Sequence, residues 1–373
     1  MNRPLPHHND TGHPVTVAKR RELVEIAVNK TLDGDHPRLG RLPVPIRYRA
    51  SGAIEAWSQL RLATGANGQD FSRVLRELPV FALLDIFPNF LEWCTQMGMG
   101  AWPHQGVIHS TLRNVVWQAF SAREGALYEP TPALHRLLDA SYIADDVPVG
   151  MIRPPVDTMC VIPEPSTWTR PNGVEVIALF YHPSSITGGT IATMSCVTWR
   201  HENGPDHNLD VNVLQIPLGD PERPIRQVLD EMNMSSESDG SQLNAYQTDS
   251  TRQHWRATLD YVIKMLLYLS VRDAQVVHER TYSNAPRNFA GLGKRRRAEL
   301  LAEIEQLYDR HIVGPAILDA EVTASLPGDS GHHEVRGHWR RPHFRMQPHG
   351  PNSSLRKLAF IGPTLVRPDR LGL

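Results

Sequence analysis

Two histidines, His338 and His343, stand among Arg336, Arg340, Arg341 and Arg345 near the end of the chain, with Trp339, Phe344 and Gln347 between and beside them. These residue types can act on a phosphate. Arginine offers a planar fork of donors that keeps its charge. Histidine can give or take a proton near neutral pH. Two histidines beside arginines are the minimum set for metal-independent RNA cleavage: one acts as base on the 2′-hydroxyl, one as acid on the leaving oxygen, and arginine holds the phosphate. The same stretch can serve without chemistry as an RNA or DNA contact. It can also be a surface for an acidic protein or peptide, or a charged edge strand that resists aggregation.

Charge sets this segment apart. From residue 331 to the end there are eight Lys or Arg against two acidic residues, a net of +6, in a chain whose formal net charge is -1. A local basic surface on a near-neutral protein points to an anionic partner, most simply a nucleic-acid backbone. Read with period two, residues 335 to 347 form a strand whose parity flips at Arg341-Pro342, which a β-bulge would absorb. That places Arg336, His338, Arg340, His343, Arg345 and Gln347 on one polar face over Trp339, Phe344 and Met346. Turn chemistry at 348–352 and a second strand from Leu355 to Ile361, carrying Arg356, complete a basic C-terminal β-hairpin. The second basic feature is Lys294, Arg295, Arg296 and Arg297 at the start of an expected helix. Four cations there oppose the helix dipole, so a bound anion would relieve them. They join the hairpin residues as candidate RNA-binding positions.

The run Gly337-His338-Trp339-Arg340-Arg341-Pro342-His343-Phe344-Arg345, followed by Gln347, Gly350, Arg356 and Ile361-Gly362-Pro363, resembles the C-terminal signature of the second type V-A anti-CRISPR family. That family belongs to phages and other mobile elements. The resemblance implies a host–virus role: lowering production of a Cas12a-type effector by acting on its translating mRNA, triggered by the nascent N-terminal peptide. The implied partners are RNA or the translating ribosome, and the nascent peptide of a target protein. Self-association into a homo-oligomer is left open.

The elements that must position these residues read as an α+β protein. Residues 1–14 are a polar, proline-rich tail, and 15–145 are mostly helical, with patterns from Thr16, over 51–63, from an Asp70 cap, over Val80–Trp93, over 106–120 and over 132–142. Residues 146–326 carry a central antiparallel sheet of three or four strands, with strands expected at 174–181, 190–199 and 209–218. The sheet packs on a long helix over 252–270, where Trp255, Leu259, Val262, Leu266 and Leu269 recur at helical spacing. Residues 235–248 read as a loop, 294–309 as a helix, and 327–373 as the basic hairpin. Thirty prolines among 373 residues, against a usual ~5%, favour irregular connections.

Several function classes are excluded by absence of their motifs. There is no phosphate-binding GxxxxGK[ST], no dinucleotide GxGxxG after a strand, and no HExxH. No cysteine–histidine zinc spacing occurs, and no cofactor or metal is expected. Cys94, Cys160 and Cys196 are widely spaced and read as reduced thiols, which places the protein in the cytoplasm. No apolar window of ~18 residues suggests a membrane span. The expected function is therefore an anti-CRISPR-like regulator of a translating message. The alternatives are a metal-independent endoribonuclease or RNA-binding toxin using His338 and His343, and a protein-binding adaptor without nucleic acid.

Overall fold

The computed structural model describes residues 17–64, 68–80, 83, 105–163, 174–186, 189–201, 209–234, 249–316 and 338–366. The expected N-terminal tail, most of the 80–93 helix, the 235–248 loop and Arg336 lie outside these residues. The chain divides into two units, residues 1–123 with 289–306, and residues 124–288 with 307–373.

The first unit is helical. It holds α1 (Val17–Asp35), α2 (Val44–Ala50), α3 (Ala53–Thr64), α4 (Gly68–Glu77) and α5 (Gln105–Ala122). The stripe expected on α1 is buried: Val24, Ala27 and Val28 pack with Ala56, Trp57 and Leu60 of α3. The Trp57 indole donates to the Thr31 hydroxyl at 2.9 Å, so the one polar atom of that ring is satisfied inside the cluster. Asp70 lies within α4, which starts at Gly68, rather than capping it. The helix stops at Glu77, in keeping with Pro79, whose ring restricts the residue before it.

The second unit is built on a seven-stranded sheet ordered β6-β5-β4-β3-β1-β8-β7. Its strands are β1 (Ala126–Pro130), β3 (Thr158–Val161), β4 (Val174–Ile186), β5 (Gly189–His201), β6 (Leu209–Pro217), β7 (Val276–Arg280) and β8 (Asp309–Val313). From β3 to β6 the pairing is antiparallel, as the short connections require. The α+β class and the central sheet hold, but the sheet is larger than expected and mixed. β1 lies parallel to both β3 and β8 in its middle. Of the additional strands, β1 and β8 are only five residues long. ALYEP sits between two helical patterns, and DRHIV follows directly on one, so neither shows a strand period of its own.

Helix α6 (Pro132–Ala140) follows β1, capped by the Thr131 hydroxyl accepting from the Leu134 amide. Two-residue β2 (Tyr142–Ile143) comes next. Further along are α7 (Ile225–Met234) and α8 (Asp249–Ser270). The expected stripe of α8 is the spine of the core: Trp255, Leu259, Val262, Ile263, Leu266 and Leu267 cluster with Met159, Val161, Ile177 and Leu179 of the sheet. Each such side chain contributes about 1.5–3 kcal/mol by leaving water. The chain returns to the first unit only for α9 (Lys294–Ile304).

The C-terminal segment forms β9 (His338–Arg340), β10 (His343–His349), β11 (Leu355–Ile361) and β12 (Thr364–Val366). β10 and β11 make the expected antiparallel hairpin, and β10 also pairs in parallel with β2. One expectation is corrected. The chain does not run as one bulged strand through Arg341-Pro342; β9 instead pairs with β12 in a separate two-stranded sheet. Pro342 has no N–H to continue a ladder. Its carbonyl accepts from the Tyr142 amide at 3.2 Å, which redirects the chain onto β2.

Candidate nucleic-acid interface

Register decides which hairpin side chains share a face. Directly opposed residues point the same way, so His343, Arg345, Gln347 and His349 lie with Ile361, Ala359, Lys357 and Leu355. Phe344, Met346 and Pro348 lie with Phe360, Leu358 and Arg356 on the other side. The apolar side is the anchor. Phe344 is fully buried, with its ring 4.8 Å from that of Phe360. Phe360 meets Tyr268 of α8 edge-on at 5.8 Å. Of the floor expected beneath the polar face, Phe344 and Met346 lie on the side opposite His343 and Arg345, while the backbone of Trp339 belongs to β9 in the other sheet. Arg356 projects on the floor side, away from the other hairpin candidates.

The polar face is uneven. His343 is 2% exposed and stacks on Tyr142, with ring centroids 5.1 Å apart and planes 9° from parallel. Its Nδ1 lies 3.2 Å from the Arg341 carbonyl. A carbonyl only accepts, so Nδ1 is assigned the proton and Nε2 is left as an acceptor. Burial lowers the proton affinity of His343, and Arg340 and Arg345 lower it further, against the Arg341 carbonyl and Asp146. The ring is therefore held neutral, which suits a hydrogen-bonding or stacking part better than that of an acid. Three buried atoms on this face, His343 Nε2, Arg345 Nε and His349 Nδ1, have no hydrogen-bond partner among the described residues.

Several cations from β9 to β11 are not matched by a carboxylate. Among the described residues, Arg340, Arg341, Arg345, Arg356 and Lys357 make no ion pair, and Arg340, Arg341, Arg356 and Lys357 are exposed. Elsewhere in the same unit some cations are matched: Arg310 holds Glu129 and Glu279 at 2.7 and 2.9 Å, and Arg226 holds Asp145 at 2.7 Å. The backbone of His338 is in β9, opposite Val366, so the two candidate histidines occupy strands of different sheets. The Lys294 quartet opens α9 in the other unit. Arg295 and Arg296 both pair with Glu299 at 3.1 Å, while Lys294 and Arg297 are exposed without an ion pair among the described residues. Gly293 caps α9 with no side chain to accept from its amides. Among the described residues no three His, Cys, Asp or Glu side chains gather as metal ligands, and no helix is long and apolar enough to cross a membrane.

Residues 128–368 match the model of the anti-CRISPR type V subtype A2 family, AcrVA2-like. The chain belongs to this anti-CRISPR family. The matched span opens inside β1 and closes just beyond β12, so it takes in the whole mixed sheet and the hairpin and leaves α1–α5 outside. Among solved structures, the chain is similar to one described as the crystal structure of AcrVA2. The two share 13% identity and a TM-score of 0.40, over 84% of this chain and 98% of that one. No curated protein matches.

Three side chains, Tyr142, His349 and Lys357, join the interface that the sequence did not single out as candidates. Tyr142 is separated from His343 by 201 positions, and no local pattern announces a two-residue strand. Lys357 was within reach: once the turn at 348–352 is fixed, counting back along β11 places it opposite Gln347.

Proposed function

We propose that this AcrVA2-like protein is a cytoplasmic regulator that lowers production of a target protein by engaging its translating mRNA, with selection through the target's nascent N-terminal peptide. The observation that supports the RNA part is the set of cations on the hairpin without ion pairs. A surface that neutralises phosphates needs Lys and Arg that no carboxylate already holds. Arg345 and Lys357 fit that need, with Gln347 and His349 adding hydrogen-bonding groups on their face, and the exposed Arg340 and Arg341 supply further charge just before the hairpin. The resemblance carries the coupling to a nascent peptide. The burial of His343, and the placement of His338 in a different sheet, give the nuclease alternative no particular support.

The test is recovery of the tagged protein with ribosomes from its host, with sequencing of the bound RNA, alongside the double variant Arg340→Glu/Arg341→Glu. Enrichment of one message near its start codon, lost on charge reversal, is the expected result. Absence of RNA in both samples would remove the nucleic-acid reading and leave a protein-facing hairpin.

A further inference from the structure

Beside the free edge of β2 the second unit holds a cavity of about 420 Å³, walled in part by Tyr142, Arg226, Asp230, Arg256, Asp260 and Lys264. Its size suits a small ring system rather than an extended polymer. Most of its charges are already committed. Lys264 is held by Asp260 at 2.7 Å and donates to the Leu138 carbonyl at 3.1 Å. Arg226 is held by Asp145. Arg256 and Asp230 are exposed and make no ion pair among the described residues, so the cavity wall offers a guanidinium donor and a carboxylate acceptor, with the exposed Gln253 amide beside them in the lining. Tyr142 adds an aromatic wall, 40% exposed, backed by the His343 ring, which does not itself border the cavity.

Tyr142 also begins the polar face of the hairpin, since it is paired with His343. From His343, alternate residues Arg345 and Gln347 follow at about 6.8 Å per step, with Lys357 beside Gln347. Through the Tyr142–His343 pairing, this row of polar groups is joined to the aromatic wall of the cavity. This is the arrangement by which single strands are held: bases stack on aromatic rings while the backbone follows a cationic track.

We propose that the cavity receives one unstacked base of single-stranded RNA, against Tyr142 and between Arg256 and Asp230, while the adjoining backbone runs along the Arg345–Lys357 face. A duplex, whose bases are stacked and paired, cannot fill it. The inference rests on the RNA reading above and narrows it to single strands with an extruded base.

The experiment is fluorescence anisotropy of the full chain with a short labelled RNA, presented single-stranded and as a duplex. Wild type is compared with Tyr142→Leu, Tyr142→Phe, Arg256→Ala and Arg340→Glu/Arg341→Glu, each checked for an unchanged melting temperature. Tyr142→Leu is expected to weaken single-strand binding about 10-fold, to leave duplex binding unchanged, and to be rescued by Tyr142→Phe. Arg256→Ala should weaken single-strand binding in the same direction. If Tyr142→Leu and Arg256→Ala bind single strands as wild type does while the double charge reversal abolishes binding, the cavity proposal is overturned and the RNA reading stands. If wild type shows no salt-dependent RNA affinity, both fall. Loss of ribosome association by Tyr142→Leu with unchanged RNA affinity would assign the cavity to a protein segment and overturn the proposal as well.

Discussion

Tyr142 and His343 lie ring on ring because β2 pairs in parallel with β10 at that step, Tyr142 opposite His343 and Ile143 opposite Phe344. One pairing thus does two things. It sends Ile143 and Phe344 into the core, where both are buried, and it closes the Tyr142 ring over the histidine.

That closure makes stability depend on pH. Burial holds the proton affinity of His343 below the ordinary histidine value of 6.5, so the unfolded chain binds the proton more readily than the folded one. The contribution is fully present above 6.5 and is lost as pH falls through the folded value. Thermal midpoints at pH 7.5 and pH 5.5 should therefore differ more for wild type than for His343→Gln. His311, lowered by burial, His278 and Arg280, acts in the same direction and remains as background in both proteins.

Phe344→Ala removes a fully buried ring from the floor of the hairpin and from its contact with Phe360. The expected loss is about 3–5 kcal/mol, read as a fall in the urea midpoint. Phe344→Leu should recover much of it.

Gly314 sits at φ +100°, and a Cβ there would lie 2.4 Å from the Leu134 Cβ and 2.9 Å from the Thr131 hydroxyl. That hydroxyl caps α6 and donates to the Pro315 carbonyl at 2.7 Å. Gly314→Ala should cost about 1–3 kcal/mol from backbone strain alone, with the displaced cap adding to it. Equilibrium denaturation against wild type checks this, and Gly291→Ala is the comparison, since a Cβ at Gly291 meets nothing within 4 Å despite its φ of +85°.

Neighbouring cations on β11 should behave differently. Lys357 lies on the Arg345 face and Arg356 on the opposite one. Lys357→Ala should reduce the slope of log affinity against log salt for single-stranded RNA by about 0.7, while Arg356→Ala leaves it near the wild-type value. Anisotropy titrations over a range of salt concentrations decide between them; equal effects would mean that the RNA does not follow the face set by this register.

What the sequence revealed and what it hid divide along physical lines. The α8 stripe from Trp255 to Leu266 was legible because every third or fourth residue is apolar over many turns. The strands of β4 to β6 were legible because their runs are long and their connections short. β1 and β8 were not, since five residues of parallel strand are specified by neighbours far along the chain rather than by their own alternation. At the candidate interface, the alternation of His343, Arg345 and Gln347 over Phe344 and Met346 could be read directly. The change of sheet at Pro342 could not, because a proline is as compatible with a bulge as with a break. Which outcome occurs depends on whether another strand, here β2, is present to accept the chain.

The placement of β1 and β2 also sets a timetable for synthesis. β1 takes one partner, β8, from near residue 310, and β2 takes its partner, β10, from residue 343. At roughly 5–20 residues per second, the ribosome makes the 200 residues between Ile143 and His343 in on the order of 10–40 s. For that interval the edge of β2 has no strand to pair with, and one edge of β1 waits until β8 is made; unpaired edges invite association with other chains. Nascent chains of this protein therefore pass through a long aggregation-prone window before the hairpin that closes the structure is made.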